Sequence, residues 1–315
     1  MRSRNLRTHI RASIPVALAA CLGLAGCGPA PSPADRAVAE QGLSSQNGLS
    51  PNGLSMNGLS MNGLSMNGLS MNGLSMNGLS TTAFSTWFNK DAGLGDMVMQ
   101  YLVRCAVPAG QSRTWTNPTT RVTYTWAGAF GLAPGWAGGA AATTTEQQLI
   151  TACVASHVNK YGVHVSVSIQ GKGSTGVAIP LEANELTTYS VKEGCFFGNL
   201  FNGDGVFVGQ DHAPWSSAYS SARACALDYK YGPSPDCAPL VVVGDCASNC
   251  TLDPSGTFYT SCTYNWKSYK PITTRLRSQD IYKCGDGTCQ FTEQCGSYYG
   301  YTWDNCSLDC GYCFH

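Results

Sequence analysis

The chain has 315 residues, of which only 12% are charged, and its 19 basic and 19 acidic side chains leave no formal net charge. No basic surplus or patch is present to meet phosphate, so nucleic acid is excluded as a partner. Sixteen cysteines and 36 glycines, among plentiful Ser, Thr and Tyr, describe instead a disulfide-bonded chain suited to an extracellular surface.

Arg2, Arg4, Arg7 and Arg11 precede an apolar run from Ile14 to Leu24, with no acidic residue before it. A basic start, a short apolar run and small residues before a cysteine form a secretory signal, too short for a spanning helix. Residues 1–26 are therefore read as a signal peptide. Leu24-Ala25-Gly26-Cys27 resembles the lipobox of bacterial lipoproteins. That resemblance implies that Cys27 carries a diacylglycerol on sulfur, that the signal is cut before it, and that the new amine receives a further acyl chain, typically palmitate. Two or three chains anchor stably where one does not. The expectation is an exported protein, lipid-anchored to a membrane, either the outer membrane or the cell surface. Without the signal arginines the remainder has 15 basic against 19 acidic residues, a net of −4.

Residues 27–80 begin with Gly-Pro-Ala-Pro-Ser-Pro, a stiff, non-helical exit from the membrane. Asn-Gly-Leu-Ser then recurs from Asn47, Asn52, Asn57, Asn62, Asn67, Asn72 and Asn77. The five-residue period resembles pentapeptide-repeat solenoids, which would turn Leu49, Leu54, Leu59, Leu64, Leu69, Leu74 and Leu79 inward. Asn stands where that family has a small buried residue, and the Gly before each Leu raises the ordering cost. With about four pentapeptides to a coil, the copies fall short of the three stacked units repeat folds need. A flexible spacer with local Asn-Gly turns is expected, with a short β-solenoid as the alternative.

Residues 81–283 read as an α+β body beginning near Thr81. Ala83 to Phe88 and Met97 to Val103 form two short helices separated by Gly93 and Gly95. Arg113 to Trp115 and Arg121 to Trp126 form a hairpin across Asn117-Pro118, with Val122, Tyr124 and Trp126 on one face. A helix spans Glu146 to Tyr161, started by a capping box from Thr143 with Glu146 or Thr145 with Gln148, and ended by Gly162. Leu149, Ile150, Cys153, Val154, His157, Val158 and Tyr161 supply its apolar stripe. Val163 to Ile169 is a strand with valines inward and His164, Ser166 and Ser168 outward. Leu240 to Val243 and Phe258 to Tyr264 are further strands.

Residues 284–315 change texture. Cys284-Gly-Asp-Gly-Thr-Cys289 and the closing Asp309-Cys310-Gly311 resemble the cysteine-rich repeat of secreted myxobacterial proteins, with Gly296 to Asn305 inserted where that repeat has a short gap. Signal, Asn-Gly-Leu-Ser repeats, body and tail together resemble a group of myxobacterial surface lipoproteins without assigned activity. The resemblance implies location and architecture only. Past Cys21 and Cys27, both remaining groups of cysteines are even in number: Cys105, Cys153, Cys195, Cys225, Cys237, Cys246, Cys250 and Cys262 in the body, and Cys284, Cys289, Cys295, Cys306, Cys310 and Cys313 in the tail. Even counts predict that all are paired, while spacing leaves the connectivity open.

Several groups of residues bear chemistry. Gly171-Lys-Gly173-Ser-Thr-Gly176 matches a dinucleotide fingerprint, but the Val-Ala-Ile-Pro that follows cannot open the helix that would hold a pyrophosphate. Cys153 and His157 stand one helical turn apart, and a disulfide at Cys153 would leave a structural histidine. Asp211 and His212, with Glu193, form a possible acid/base set for a hydrolase acting on glycan or peptide. No G-x-S-x-G, H-E-x-x-H or P-loop accompanies them. Asn202, Asp204, Gly205 and Asp211 fit positions of a calcium loop whose first ligand position is Leu200, so a tight turn is expected. Asp286, Glu293, Asp304 and Asp309 are weak calcium candidates, and no other cofactor is expected. Tyr298, Tyr299, Tyr301 and Trp303 lie in a module too small to bury them and form a candidate contact surface. The favoured reading is a non-enzymatic module binding a glycan or protein partner; the alternative is the hydrolase.

Overall fold

The computed structural model describes residues 44–47, 73–158, 165–211, 240–278, 285, 287, 289 and 306–312. Within them, helices begin where a side chain takes up a backbone N–H that the first turn leaves unpaired. Thr81 Oγ1 accepts from Phe84 N (3.1 Å) ahead of Thr82–Phe88, and Asp91 Oδ1 accepts from Leu94 N (3.0 Å) ahead of Ala92–Ala106. With the short turn Met76–Leu79 before them, these are α1, α2 and α3. Gly93 and Gly95 therefore do not separate two helices. The Asp91 cap draws both into the first turn of α3, where a Cβ on Gly95 would stand 3.0 Å from the Phe88 ring.

The capping box at Thr143 forms as the sequence predicts. Glu146 N donates to Thr143 Oγ1 (3.3 Å) and Thr143 N to Glu146 Oε2 (3.0 Å), opening α5 at Thr144–Ser156. The other oxygen of Glu146 accepts from Gly135 N (2.9 Å) and Trp136 N (3.1 Å), so one buried carboxylate also caps the short helix α4, Pro134–Ala137. Helix α5 closes at His157 rather than running on to Tyr161. His157 N turns back to Val154 O, and its ring Nδ1 meets Cys153 O at 2.7 Å, taking up a carbonyl that the next turn would have used.

The centre is a six-stranded sheet of β1 (Ser44–Asn47), β4 (Val165–Gly171), β5 (Val191–Asn199), β6 (Gly205–Gln210), β7 (Leu240–Asp245) and β11 (Ile272–Leu276). Its order is β1-β4-β11-β5-β6-β7, antiparallel except for the β6–β7 pair. The register steps between Thr274 and Arg275, which face Gly194 and Lys192, so Glu193 is the extra residue of a bulge in β5.

Alternation along the strands sends Val167, Ile169, Phe196, Val206, Val208 and Ile272 into one core, where α5 and, behind it, α3 cover the sheet and Cys105–Cys153 joins the two helices. The other face carries a three-stranded sheet, order β10-β9-β8, made of β8 (Cys250–Leu252), β9 (Tyr259–Tyr264) and β10 (Lys267–Tyr269). Between the sheets lie Phe197, Phe207, Tyr259 and Tyr269 with the disulfides Cys195–Cys246 and Cys250–Cys262. The one-turn helix α7, Cys246–Asn249, links β7 to β8.

The expected hairpin is present as β2 (Ser112–Thr116) and β3 (Thr123–Ala127) and packs on α3. Trp115, Tyr124 and Trp126 close over Phe84 and Phe88, while Val122 precedes the strand and is exposed. The fold also reaches back beyond Thr81. Leu74 and Leu79, from the last two repeat copies, are fully buried, and Arg113 donates through Nε to Leu74 O (2.6 Å) and through Nη2 to Ala137 O (2.7 Å). Gly73 is in a left-handed conformation against the Trp136 carbonyl, where a Cβ would come within 2.5 Å, so this copy uses its glycine for close approach. The strand β1 on the sheet edge likewise lies within the stretch read as a spacer. The remaining repeat leucines, Leu49, Leu54, Leu59, Leu64 and Leu69, lie outside the described residues.

Candidate functional site

Pairing of β5 with β6 brings the two predicted carboxylates together in backbone but not in side chain. Asp211 N donates to Glu193 O (3.0 Å). The Glu193 carboxylate, turned by the bulge, accepts from Thr274 Oγ1 (2.7 Å), and Thr274 shares the helix-covered face with Ile272. Asp211 Oδ1 accepts from Tyr259 OH (2.8 Å), which belongs to the small sheet on the opposite face. His157 sits elsewhere again, buried at the end of α5 with its ring 5.1 Å from that of Tyr101. Cys153 is oxidised, so its pairing with His157 carries no thiolate chemistry. The described members of the acid/base set do not converge on one cleft; His212 lies outside the described residues.

Asp211 does belong to a buried polar cluster that the sequence left unread. Arg275, on the small-sheet face of β11, donates through Nε to Gln170 Oε1 (3.3 Å) and through Nη1 to Ser190 O (3.4 Å). Gln170 donates to Ser168 Oγ (2.9 Å) and Ser168 to Glu185 Oε1 (2.5 Å), where Glu185 opens the short helix α6, Glu185–Thr188. Ser168 is thus buried rather than outward, because α6 covers this side of β4. Burial lowers the affinity of Arg275 for its proton, and the Asp211 charge opposes that shift. Burial, together with the hydrogen bond and charge of Asp211, pushes the Tyr259 hydroxyl well above its ordinary range, so it remains a proton donor. Asp211 Oδ2 is buried and has no hydrogen-bond partner among the described residues. The cluster offers a fixed donor, the Tyr259 hydroxyl, and a fixed cation, Arg275.

The metal candidates are occupied by structure. Leu200 is core, and Asn202 and Asp204 bond each other across the β5–β6 turn. Lys267 salt-bridges Asp204, so an ammonium holds the carboxylate that a calcium loop would need. Despite its burial, Asp204 is held below the usual carboxylate range by these bonds. In the tail, Asp309 accepts from Gly285 N (2.6 Å) and Gly287 N (3.0 Å), and Cys289 pairs with Cys310 at the end of α8, Ser307–Cys310. Asp286, Glu293 and Asp304 lie outside the described residues. Two groups have metal-like spacing, Cys105–Cys153–His157 and Cys195–Cys250–Cys262, but their sulfurs are already in disulfides. The glycine-rich loop after β4 is a turn in which Gly173 N donates to Val177 O (2.8 Å), and no helix opens from it to hold a pyrophosphate, the next being the four-residue α6 from Glu185.

Cys306 is also disulfide-bonded, while Cys225, Cys237, Cys284, Cys295 and Cys313 lie outside the described residues, as do Tyr298, Tyr299, Tyr301, Trp303 and Cys27. Two aromatic side chains are strongly exposed among the described residues, Tyr312 in the tail and, in the body, Trp266 with 101% relative exposure. Trp266 is the one that stands on a sheet. It forms with Asn265 the two-residue turn between β9 and β10, both at positive φ (63° and 49°). The signal is Asn265, a turn residue between two short runs of Tyr and polar residues; the absence of a following Gly hides the hairpin. No described helix is long and apolar enough to cross a membrane. No family model, curated protein or solved structure matches the chain.

Proposed function

We propose that this is an exported, lipid-anchored cell-surface module that binds a glycan or protein partner without turning it over. The observation that carries the second half is the divergence of Glu193 and Asp211 to opposite faces of the sheet, each already bonded to a hydroxyl of the fold. General acid/base work needs its groups within reach of one reacting atom. The first half rests on the lipobox at Cys27 and on the resemblance to myxobacterial surface lipoproteins. On this reading the stretch between Cys27 and β1, Pro-rich at its start, sets the folded part off from the membrane. The hydrolase alternative keeps one favourable observation, the buried Asp211 oxygen that lacks a partner among the described residues.

The test uses Cys27→Ala, which removes the acylated sulfur and nothing in the described fold. The variant is expected to leave the membrane fraction, since the acyl chains are the strong anchor. Continued sedimentation with membranes would refute the lipid anchor. The same soluble full-length protein is then screened against a glycan array and surface extracts, with product analysis of every retained ligand. Cleavage of a retained glycan or peptide would transfer the assignment to the hydrolase.

A further inference from the structure

The small sheet has two faces, and its outer one has an unusual composition. The β9–β10 register pairs Lys267 with Tyr264, Ser268 with Thr263 and Tyr269 with Cys262; the β8–β9 register pairs Cys250 with Cys262 and Thr251 with Ser261. Cys262, Tyr264 and Tyr269 point inward to the core against Phe197 and Phe207. Lys267, in register with Tyr264, points the same way and is tied to Asp204. Alternation therefore leaves Thr251, Ser261, Thr263 and Ser268 on the outside, all hydroxyl-bearing, with Thr251, Thr263 and Ser268 exposed. Among the described residues no charged side chain belongs to this outer set.

At the end of that face stands Trp266. Two-residue hairpin turns of this kind take glycine at their second position, because a bulky side chain at positive φ is strained. Trp266 is nonetheless there, and it buries nothing in return: its ring is wholly in solvent. Strained residues retained without a packing role concentrate where a ligand is held. A flat sheet of hydroxyls can both donate to and accept from other hydroxyls, and an indole presents an apolar face with a polar N–H edge. Sugar rings offer the complement, C–H faces to stack on an indole and hydroxyl rims to bond Ser and Thr. The absence of charge on the face selects against polyanions and anionic lipid, and one isolated aromatic lacks the clustered apolar anchors of a protein hot spot.

We propose that the outer face of the three-stranded sheet, Thr251, Ser261, Thr263 and Ser268 with Trp266 at its end, binds a neutral glycan. This rests on the binding-module reading and names its ligand class and site. The Cys250–Cys262 bridge holds β8 to β9 directly beneath the face, so binding there orders little that is not already ordered.

The experiment immobilises neutral oligosaccharides in parallel with heparin and phosphatidylglycerol vesicles, and applies full-length Cys27→Ala protein carrying no other change, Trp266→Gly, or Thr263→Glu. Glycine suits the backbone at residue 266 and Thr263 is exposed, so both variants should melt close to the parent. The expected result is retention of the parent on one or more neutral glycans, with affinity reduced about tenfold or more in each variant. Parent-like affinity of Trp266→Gly would overturn the proposal. So would retention only on heparin or vesicles, or retention on no probe. Shortening of a bound glycan would instead overturn the non-catalytic reading, whatever the variants do, which separates the two failures.

Discussion

The two faces of the six-stranded sheet are covered by different means. On one, α5 and α3 bury Phe196, Ile169, Val206, Val208 and Ile272 among the aliphatic side chains of two helices of 13 and 15 residues. On the other, strands of three, six and three residues bury Phe197, Phe207, Tyr259 and Tyr269. A cover that small removes too little apolar surface from water to hold itself in place. Two disulfides and a buried polar cluster make up the difference, with Cys250 Sγ only 3.6 Å from Cys195 Sγ of the neighbouring bridge. The helix layer is held by packing and the small sheet by links.

The largest effect should come from cutting those links. In the chain-entropy account, bridges spanning 51 residues (Cys195–Cys246) and 12 residues (Cys250–Cys262) are worth about 4 and about 3 kcal/mol. Replacing all four cysteines with Ala is expected to free the small sheet while the helix layer stays folded. Amide exchange should rise across residues 250–269 and remain slow in 144–156. The control is Cys105→Ala with Cys153→Ala, whose bridge spans 48 residues and has nearly the same entropic worth as Cys195–Cys246 alone. There the packed helices should keep their protection, and uniform exchange in both variants would break the contrast between packing and links.

On the helix side, the corresponding weak point is Glu146. Its carboxylate accepts from Gly135 N, Trp136 N, Thr143 N and Thr143 Oγ1, so Glu146→Ala uncaps α4 and removes the reciprocal half of the box at α5, where the bond from residue 146 N to Thr143 Oγ1 remains. A loss of about 3 kcal/mol is expected from a denaturant midpoint, combining a lost cap with buried N–H groups left unpaired. A loss below about 1 kcal/mol would mean that water reaches those donors.

On the small-sheet side, Asp211→Asn keeps an acceptor for Tyr259 but removes the charge that faces Arg275. The expected loss is about 2 kcal/mol, since a buried cation is left with neutral acceptors and without the charge of Asp211. An unchanged midpoint would show that the buried oxygen of Asp211 carries no stabilising charge, and would strengthen the case that it is kept for chemistry.

How far this contrast could be read from sequence differs by layer. The helix side was legible: Thr143 and Glu146 announce a capping box, and the apolar stripe from Leu149 to Val154 names the buried face. Its end was not, because the turn at His157 depends on an imidazole reaching back to Cys153 O, which no periodicity encodes. The helix over residues 92–106 is longer than its apolar run shows, because the Asp91 cap carries Gly93 and Gly95 into its first turn against their breaker tendency. Of the small sheet the sequence shows β9 alone, within the run from Phe258 to Tyr264; β8 and β10, of three residues each, are too short to announce themselves, and the links are not visible either. Even cysteine counts predict oxidation without saying which sulfurs meet, and Cys195 meets Cys246 only after β7 has paired with β6. The candidate acid/base site failed for a reason of register. A single bulge at Glu193 turns that carboxylate to the helix side, and one extra residue in a strand leaves no trace in an alternating pattern.

The smallest expected effect sharpens the account of the small sheet, because it lies in the loop that joins β8 to β9. Asp253 Oδ1 accepts from Thr257 N (2.7 Å) and Phe258 N (3.0 Å), and Oδ2 from Ser255 N (3.0 Å) and Ser255 Oγ (2.5 Å). Burial pushes the carboxyl up, and these bonds together outweigh it and hold the carboxyl down at about 2. The folded value lies below the unfolded one of about 3.9. The ionised form therefore contributes stability that is present above about pH 4 and is lost as pH falls toward 2. Asp253→Asn can accept only through its carbonyl and has no titration of its own. The variant should be slightly less stable than the parent at neutral pH, and the gap should close as both are acidified through this window. Urea midpoints at pH 7, 4 and 2 measure it. A gap that is constant across the three would assign the role of Asp253 to loop geometry alone and remove charge from the account of how this cover is held.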